Sequence, residues 1–177
     1  MKIIYTNNMR NMIMKKTLDR IDYEILTLLQ NNARISNKEI AAQVGLAAST
    51  CLVRIRILQS SGVISGFHAE ITPASLGVGI QAMIAVRLIR HFKPDVDAFR
   101  QHALSLPEVV QLYHVAGPID FLVHVWARDS DHLRDLAMTA FTSRQEVSHI
   151  ETELIFEHIR SAELPSFTNL NAKSQTD

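Results

Sequence analysis

Apolar positions in the first third of the chain recur at helical spacing, and further on they recur every second residue. Ile21, Ile25, Leu28 and Leu29 follow i, i+4, i+7 and i+8, which predicts a helix over residues 20–31. Asp19 is placed to cap it, with Leu18 and Tyr23 as a hydrophobic staple. Ser36 opens a second helix, and Glu39 three residues later completes a capping box. That helix buries Ile40, Ala41 and Val44 and ends at Gly45, with Leu46 at the corner. A third helix is predicted from about residue 48 to 61, stopped by Gly62. On a wheel of about 100° per residue, Cys51, Leu52, Ile55, Leu58 and Gln59 form its core face. Ser49, Thr50, Val53, Arg56, Ile57 and Ser60 face outward, with Arg54 at the margin.

Past Gly62 the pattern turns extended. Residues 63–71 alternate and predict a strand, and Thr72-Pro73 with Gly77 and Gly79 then mark a hinge. Residues 81–89 read as a strand, and a helix follows from Pro94 to about Ser105. Residues 109–116 and 119–127 read as strands around a Gly117-Pro118 turn. Asp129 or Ser130 caps a further helix, and residues 147–159 form the last strand. The order β-α-β-β-α-β is the ferredoxin-like arrangement. The stretch 121–126 is apolar on both faces, whereas helices cover only one side of such a sheet. Sheet-to-sheet pairing of two copies is therefore expected, with Leu122 and Trp126 on the buried side.

Charge changes this picture. The 177-residue chain has no net charge, but residues 1–66 hold nine Lys/Arg against four Asp/Glu, a net +5. Residues 67–177 hold nine against fourteen, a net −5. A basic helical first part predicts a polyanionic partner. Two helices joined by a Gly turn, the second with small polar and basic outward residues, predict a helix-turn-helix on double-stranded DNA. Ser49, Thr50, Val53 and Arg56 are the expected base contacts, and Lys38 and Arg54 the expected phosphate contacts, with Arg34 behind them. Paired copies suit this role, because two recognition helices about 34 Å apart match successive major grooves.

One cysteine, Cys51, excludes a disulfide framework and reads as a small buried hydrophobe. No apolar run reaches membrane-span length and no secretory signal is visible, so a cytoplasmic protein without membrane association is expected. No cofactor or metal is expected, since neither HExxH nor a Cys/His ligand spacing occurs. Met14 is an alternative natural start to Met1, residues 1–17 reading as an arm, and the polar tail 161–177 is expected to be mobile.

The motifs LDRIDYEIL (18–26), ARIS (33–36), GVISGF (62–67) and GPIDF (117–121), in that order, resemble the leucine-responsive regulator/AsnC family. The likeness runs from Leu18 to Pro165. TCLVRIRIL and LIFEHIR are most similar to members that govern catabolism of alanine or related amino acids. The resemblance implies an α+β chain, an N-terminal winged helix-turn-helix over 18–66, a 67–79 linker and a ferredoxin-like effector-binding and oligomerisation domain over 80–160. It implies a transcription regulator that answers an amino acid or related small molecule, as a homodimer assembling into a tetramer or octamer. The effector residues it implies are Val115, Ala116, Gly117, Pro118, Ile119 and Asp120, with Thr152, Glu153 and Leu154 from the last strand. Asp120 would accept from an ammonium group, and backbone N–H groups at Gly117 would meet a carboxylate. Three departures stand out: Ala47 replaces a usual Ser cap, and Val53 and Ile57 stand where charged residues are frequent. They bear on the operator sequence, and Val53 and Ile57 suit thymine methyl groups. The rival class is an enzyme, since one branch of this fold decarboxylates sirohaem and the chain has eight histidines. A stand-alone RNA-binding ferredoxin-like module is a third reading, opposed by the helix-turn-helix and by the lack of an aromatic strand.

Overall fold

The computed structural model describes residues 17–165, which divide into two compact units, 17–70 with 159–165 and 71–158. The first unit holds α1 (Arg20–Asn31), α2 (Asn37–Gln43) and α3 (Ala48–Ser60). Local chemistry sets their starts. The Asp19 carboxylate accepts from the Asp22 amide at 2.8 Å, and the Asp22 carboxylate accepts from the Asp19 amide at 3.4 Å. Ser36 and Glu39 close the same reciprocal box on α2, at 3.2 and 2.9 Å. The Ser36 hydroxyl, and then the Ser36 amide, hold the Glu39 carboxyl below its usual range. Gly45 and Gly62 follow the second and third helices at φ 68° and 76°. The chain bends by 104° between α2 and α3, within the range of a helix-turn-helix. Ile25, Ile40, Ala41, Val44, Cys51 and Leu58 make the core.

Three expectations change here. Leu52 is 38% exposed and Gln59 is also exposed, so α3 buries a narrower stripe than the wheel gave. Three short helices enclose only Cys51 and Leu58 of α3 fully, with Ile55 at the edge. Residues 63–71 form no strand, because alternation gives an extended chain but a strand needs a ladder partner, and the described residues supply none. Val63, Phe67 and Ile71 remain exposed. Residues 161–165 are tied down: the Asn31 side-chain amide bonds the Glu163 carboxylate, and the Leu164 amide donates to Gln30 Oε1 at 2.8 Å. The rest of the tail, and the arm with its alternative start at Met14, lie outside the described residues.

The second unit begins with a 3-10 turn at Pro73–Leu76. It continues as β1 (Ile80–Leu88), α4 (Lys93–Ser105), β2 (Val109–His114), β3 (Phe121–Ala127), α5 (Ser130–Leu136) and β4 (Val147–Leu154). Pro94 lies in the first turn of α4 and Asp129 caps α5 through the His132 amide. A π turn, Ala137–Thr142, extends α5, and the His102 ring meets its Ala140 carbonyl at 2.7 Å. The sheet is antiparallel in the order β2-β3-β1-β4, which is the ferredoxin-like topology. Phe99 and Phe141 from the helical layer pack on Ile84, Val86, Phe121 and Val123 of the sheet. β4 stops at Leu154, five residues short of expectation, after which one more amide, Ile155, bonds the Gln81 carbonyl.

The opposite sheet face carries Gln81, Met83, Leu122, His124 and Trp126. His124 is buried there, at 4% exposed. Gln81 Oε1 lies 3.3 Å from its Nε2, the Trp126 ring meets it edge-on, and the His158 ring stands 6.0 Å away. Burial, and then the nearby His158, lower its pKa below the usual 6.5. The unfolded chain then binds this proton more readily than the folded one, so the contribution to stability is complete above about pH 6.5 and falls as pH drops through the lower folded value. Urea midpoints measured across this range are expected to fall more steeply with acid for wild type than for H124Q. Parallel curves would mean that His124 does not carry the effect.

Candidate functional site: an outward helix face and a clamped turn

Helix α3 presents Ser49, Thr50, Val53 and Arg56 to solvent, with Val53 53% exposed, and Lys38 of α2 is also exposed. Among the described residues, no side-chain hydrogen bond or ion pair is formed by Lys38, Ser49, Thr50 or Arg56. Ala47 is the N-cap and offers no side-chain bond, so the helix starts at Ala48 uncapped instead of slipping to Ser49. Its first amides stay available at the surface.

Arg54 departs from the sequence expectation. Its Nη1 donates to Asp19 at 2.7 Å and to Asp22 at 2.8 Å, so the guanidinium faces α1 and not outward. The Asp22 side chain is 1% exposed and that of Arg54 is 27% exposed. The backbone amide of Asp22, followed by Arg54, holds the Asp19 carboxyl below the usual carboxylate range. The pair fixes the rotation of α3 about its axis, and hence which residues it shows. Asp22 is the functional residue that the sequence reading missed. Its signal was an acidic residue one step from the apolar stripe of α1.

The second candidate site is the turn between β2 and β3. Gly117 has φ 144°, a conformation that side chains with a Cβ rarely adopt. Ala116, Gly117 and Pro118 are exposed, Val115 and Ile119 are half-buried, and Asp120 is 6% exposed. The turn is clamped to the end of β1. The Val115 amide donates to the Asp120 carbonyl, and the Asp120 amide to the Val86 carbonyl, both at 2.9 Å. The Leu88 amide donates to Asp120 Oδ2 at 2.8 Å, His91 Nδ1 meets Oδ1 at 2.6 Å, and Arg87 Nε donates to the Pro118 carbonyl at 2.7 Å. Both oxygens of Asp120 are thus engaged within the protein.

Thr152, Glu153 and Leu154 are exposed on β4 and do not join this turn within one chain. Thr152 pairs with Ile84 and Leu154 with Ala82, whereas Asp120 bonds Leu88. Four to six residues of β1 therefore separate them, about 13 to 20 Å of strand. Leu154 borders a shallow groove with Pro73, Gln81 and Phe156 instead. Among the described residues no cluster of His, Cys, Asp and Glu is placed to hold a metal ion, and no single helix is long and apolar enough to cross a membrane.

Both units match known protein families. Residues 18–65 match the winged helix-turn-helix DNA-binding family and residues 81–164 the Lrp/AsnC ligand binding domain. The HTH-type transcriptional regulator AldR of Mycolicibacterium smegmatis is 43% identical over 147 residues, 83% of this chain and 86% of the relative. A leucine-responsive regulatory protein of Rhizobium meliloti is 32% identical, over 85% of this chain and 97% of its own. The structure of a Neisseria meningitidis transcriptional regulator in complex with L-Met superposes with a TM-score of 0.76 at 28% identity, covering 82% of this chain and 94% of that one. These relatives are transcriptional regulators, and the sirohaem decarboxylase reading draws no support from them. A helix-turn-helix with an outward recognition face, a ferredoxin-like sheet and these relatives together show that the chain belongs to the Lrp/AsnC family of transcriptional regulators, with a DNA-binding and a ligand-binding domain.

Proposed function

We propose that this regulator reads its operator through Ser49, Thr50, Val53 and Arg56, is positioned by Lys38, and answers an amino acid held at the turn 115–120. The observation that supports the DNA reading best is the outward face of α3. Ser49, Thr50 and Arg56 form no side-chain bond to the protein among the described residues, while Arg54 turns inward onto Asp19 and Asp22. Val53 and Ile57 lower the charge of that face, so they suit thymine methyl groups, and edge contacts to phosphate carry more of the affinity.

The separation of Thr152–Leu154 from the turn supports an effector site completed by a second copy. Leu122 and Trp126, half-buried on the sheet face that no helix of this chain covers, support pairing of two copies through that face. Dimers then associate into a tetramer or octamer in the cytoplasm. An amino acid suits the site because a zwitterion needs a donor-rich and an acceptor-rich wall close together. Coupling of about 1–3 kcal/mol between amino acid and DNA suffices for regulation.

Salt-dependent gel shifts on the protein's own promoter test the DNA contacts. Lys38→Ala is expected to weaken all sequences alike and to reduce the salt slope by about one. Arg56→Ala is expected to cost about 1–3 kcal/mol on the operator and to relax preference at one base pair. Operator affinity and selectivity unchanged in both variants would sink this reading of the outward face.

A further inference from the structure

The loop between β1 and α4 lies against the clamped turn and is exposed throughout. Ile89 and Phe92 are 59% and 65% exposed, and the side chains of Arg90 and His91 are 64% and 72% exposed. Arg90 is occupied: it bonds Asp95 at 3.2 Å and lies 5.9 Å from the centroid of the Phe92 ring. His91 is different. One ring nitrogen, Nδ1, is held at 2.6 Å by the buried Asp120, while the rest of the ring projects from the surface.

Asp120 itself is poorly placed to receive an ammonium group. It is 6% exposed, and its two oxygens already take the Leu88 amide and the His91 ring. Its charge reaches the surface through that ring. A carboxylate only accepts, so the proton of this hydrogen bond sits on Nδ1. In the neutral ring that tautomer leaves the Nε2 lone pair pointing away from Asp120, as an acceptor. An ammonium group is a pure donor and complements it. Arg87, whose Nε donates to the Pro118 carbonyl, adds a cation to the same turn, the charge that the carboxylate of a zwitterion complements.

We propose that His91 is an effector-contacting residue: its Nε2, oriented by the buried Asp120, accepts from the α-ammonium group of an amino acid, and Asp120 acts as a positioning residue behind it. This rests on the reading that the turn 115–120 forms the effector site. The loop 89–92 becomes a wall of that site, and the exposed Phe92 offers an apolar surface to the amino-acid side chain.

The full-length protein is first screened by thermal shift with the common L-amino acids, and the strongest binder is taken to calorimetric titration. H91N keeps a side-chain nitrogen for Asp120 but ends short of Nε2, whereas H91Q places its amide near Nε2. H91A and H91N are expected to lose about tenfold or more in affinity for that amino acid, and H91Q much less. The melting temperature of H91N without amino acid, and its DNA affinity, are expected to stay at the wild-type level. The preference for the amino acid over its des-amino analogue is expected to shrink in H91N. Wild-type affinity in H91N, or an undiminished preference for the ammonium group, overturns the assignment. A116R separates the two levels. Binding lost in A116R but intact in H91N removes His91 alone. Binding intact in A116R, or no stabilisation of wild type by any amino acid, removes the site reading and His91 with it.

Discussion

Arg54→Ala is expected to destabilise the helix-turn-helix unit by about 3 kcal/mol or more and to abolish operator binding as a consequence. The size follows from Asp22, whose side chain is 1% exposed and lies 2.8 Å from the guanidinium. Desolvation of that carboxylate is offset in the folded state by Arg54 and by the capping bonds at the start of α1. Removing the guanidinium takes from a buried carboxylate a charged partner 2.8 Å away, which costs far more than the pair contributes. The Asp19 arm of the clamp is half exposed and adds little. A double-mutant cycle checks the argument. R54M combined with D22L is expected to cost much less than the two single changes summed, because both charges then leave together. The same variant tests Arg54 as a phosphate contact. If the folded double variant binds operator with the wild-type salt slope, the arginine positions the helix. A slope smaller by about one would restore it to the DNA backbone.

The second large effect is expected from Phe99→Ala. Phe99 is fully buried, with ring centroids 4.8 Å from Phe121 on β3 and 6.1 Å from Phe141 on the π turn. It joins α4, the sheet and the end of α5 in one cluster. Truncating it removes the burial of a large ring and leaves a cavity that three separate elements cannot close, a cost of about 3–5 kcal/mol. Phe92→Ala, at a ring 65% exposed, is the control and is expected to change stability by less than about 0.5 kcal/mol. Urea unfolding followed by tryptophan fluorescence reads this unit directly, since Trp126 lies on β3 of the same sheet. A Phe99→Ala loss no larger than that of Phe92→Ala would show that the helical layer is not held by this ring cluster.

Much of the fold was written locally. The starts of α1 and α2 coincide with the reciprocal boxes at Asp19/Asp22 and Ser36/Glu39, and Gly45 and Gly62 follow the ends of α2 and α3. Those features act over three or four residues, so the sequence displays them. The order of strands and helices after residue 80 was legible for the same reason: alternation at spacing two and capped helical stretches are local patterns. The identities of the outward residues on α3 also came from periodicity alone. Where a conclusion needed a partner from elsewhere in the chain, it changed. Residues 63–71 alternate like a strand but have no ladder to join. Leu52 falls on the apolar side of a wheel, yet the small three-helix core has no surface left to cover it.

The functional side chains divide in the same way. From the sequence come the recognition helix, the Gly117–Asp120 turn and their family, because each is a contiguous motif. Only the tertiary structure turns Arg54 inward onto α1, buries His124 under His158, and saturates Asp120 with Leu88 and His91. It also holds Thr152–Leu154 away from the turn within one chain. The reason is the range of the interactions. Caps, turns and amphipathic faces are decided among near neighbours, whereas the destination of a charged side chain is decided by whichever distant group meets it once water has been excluded.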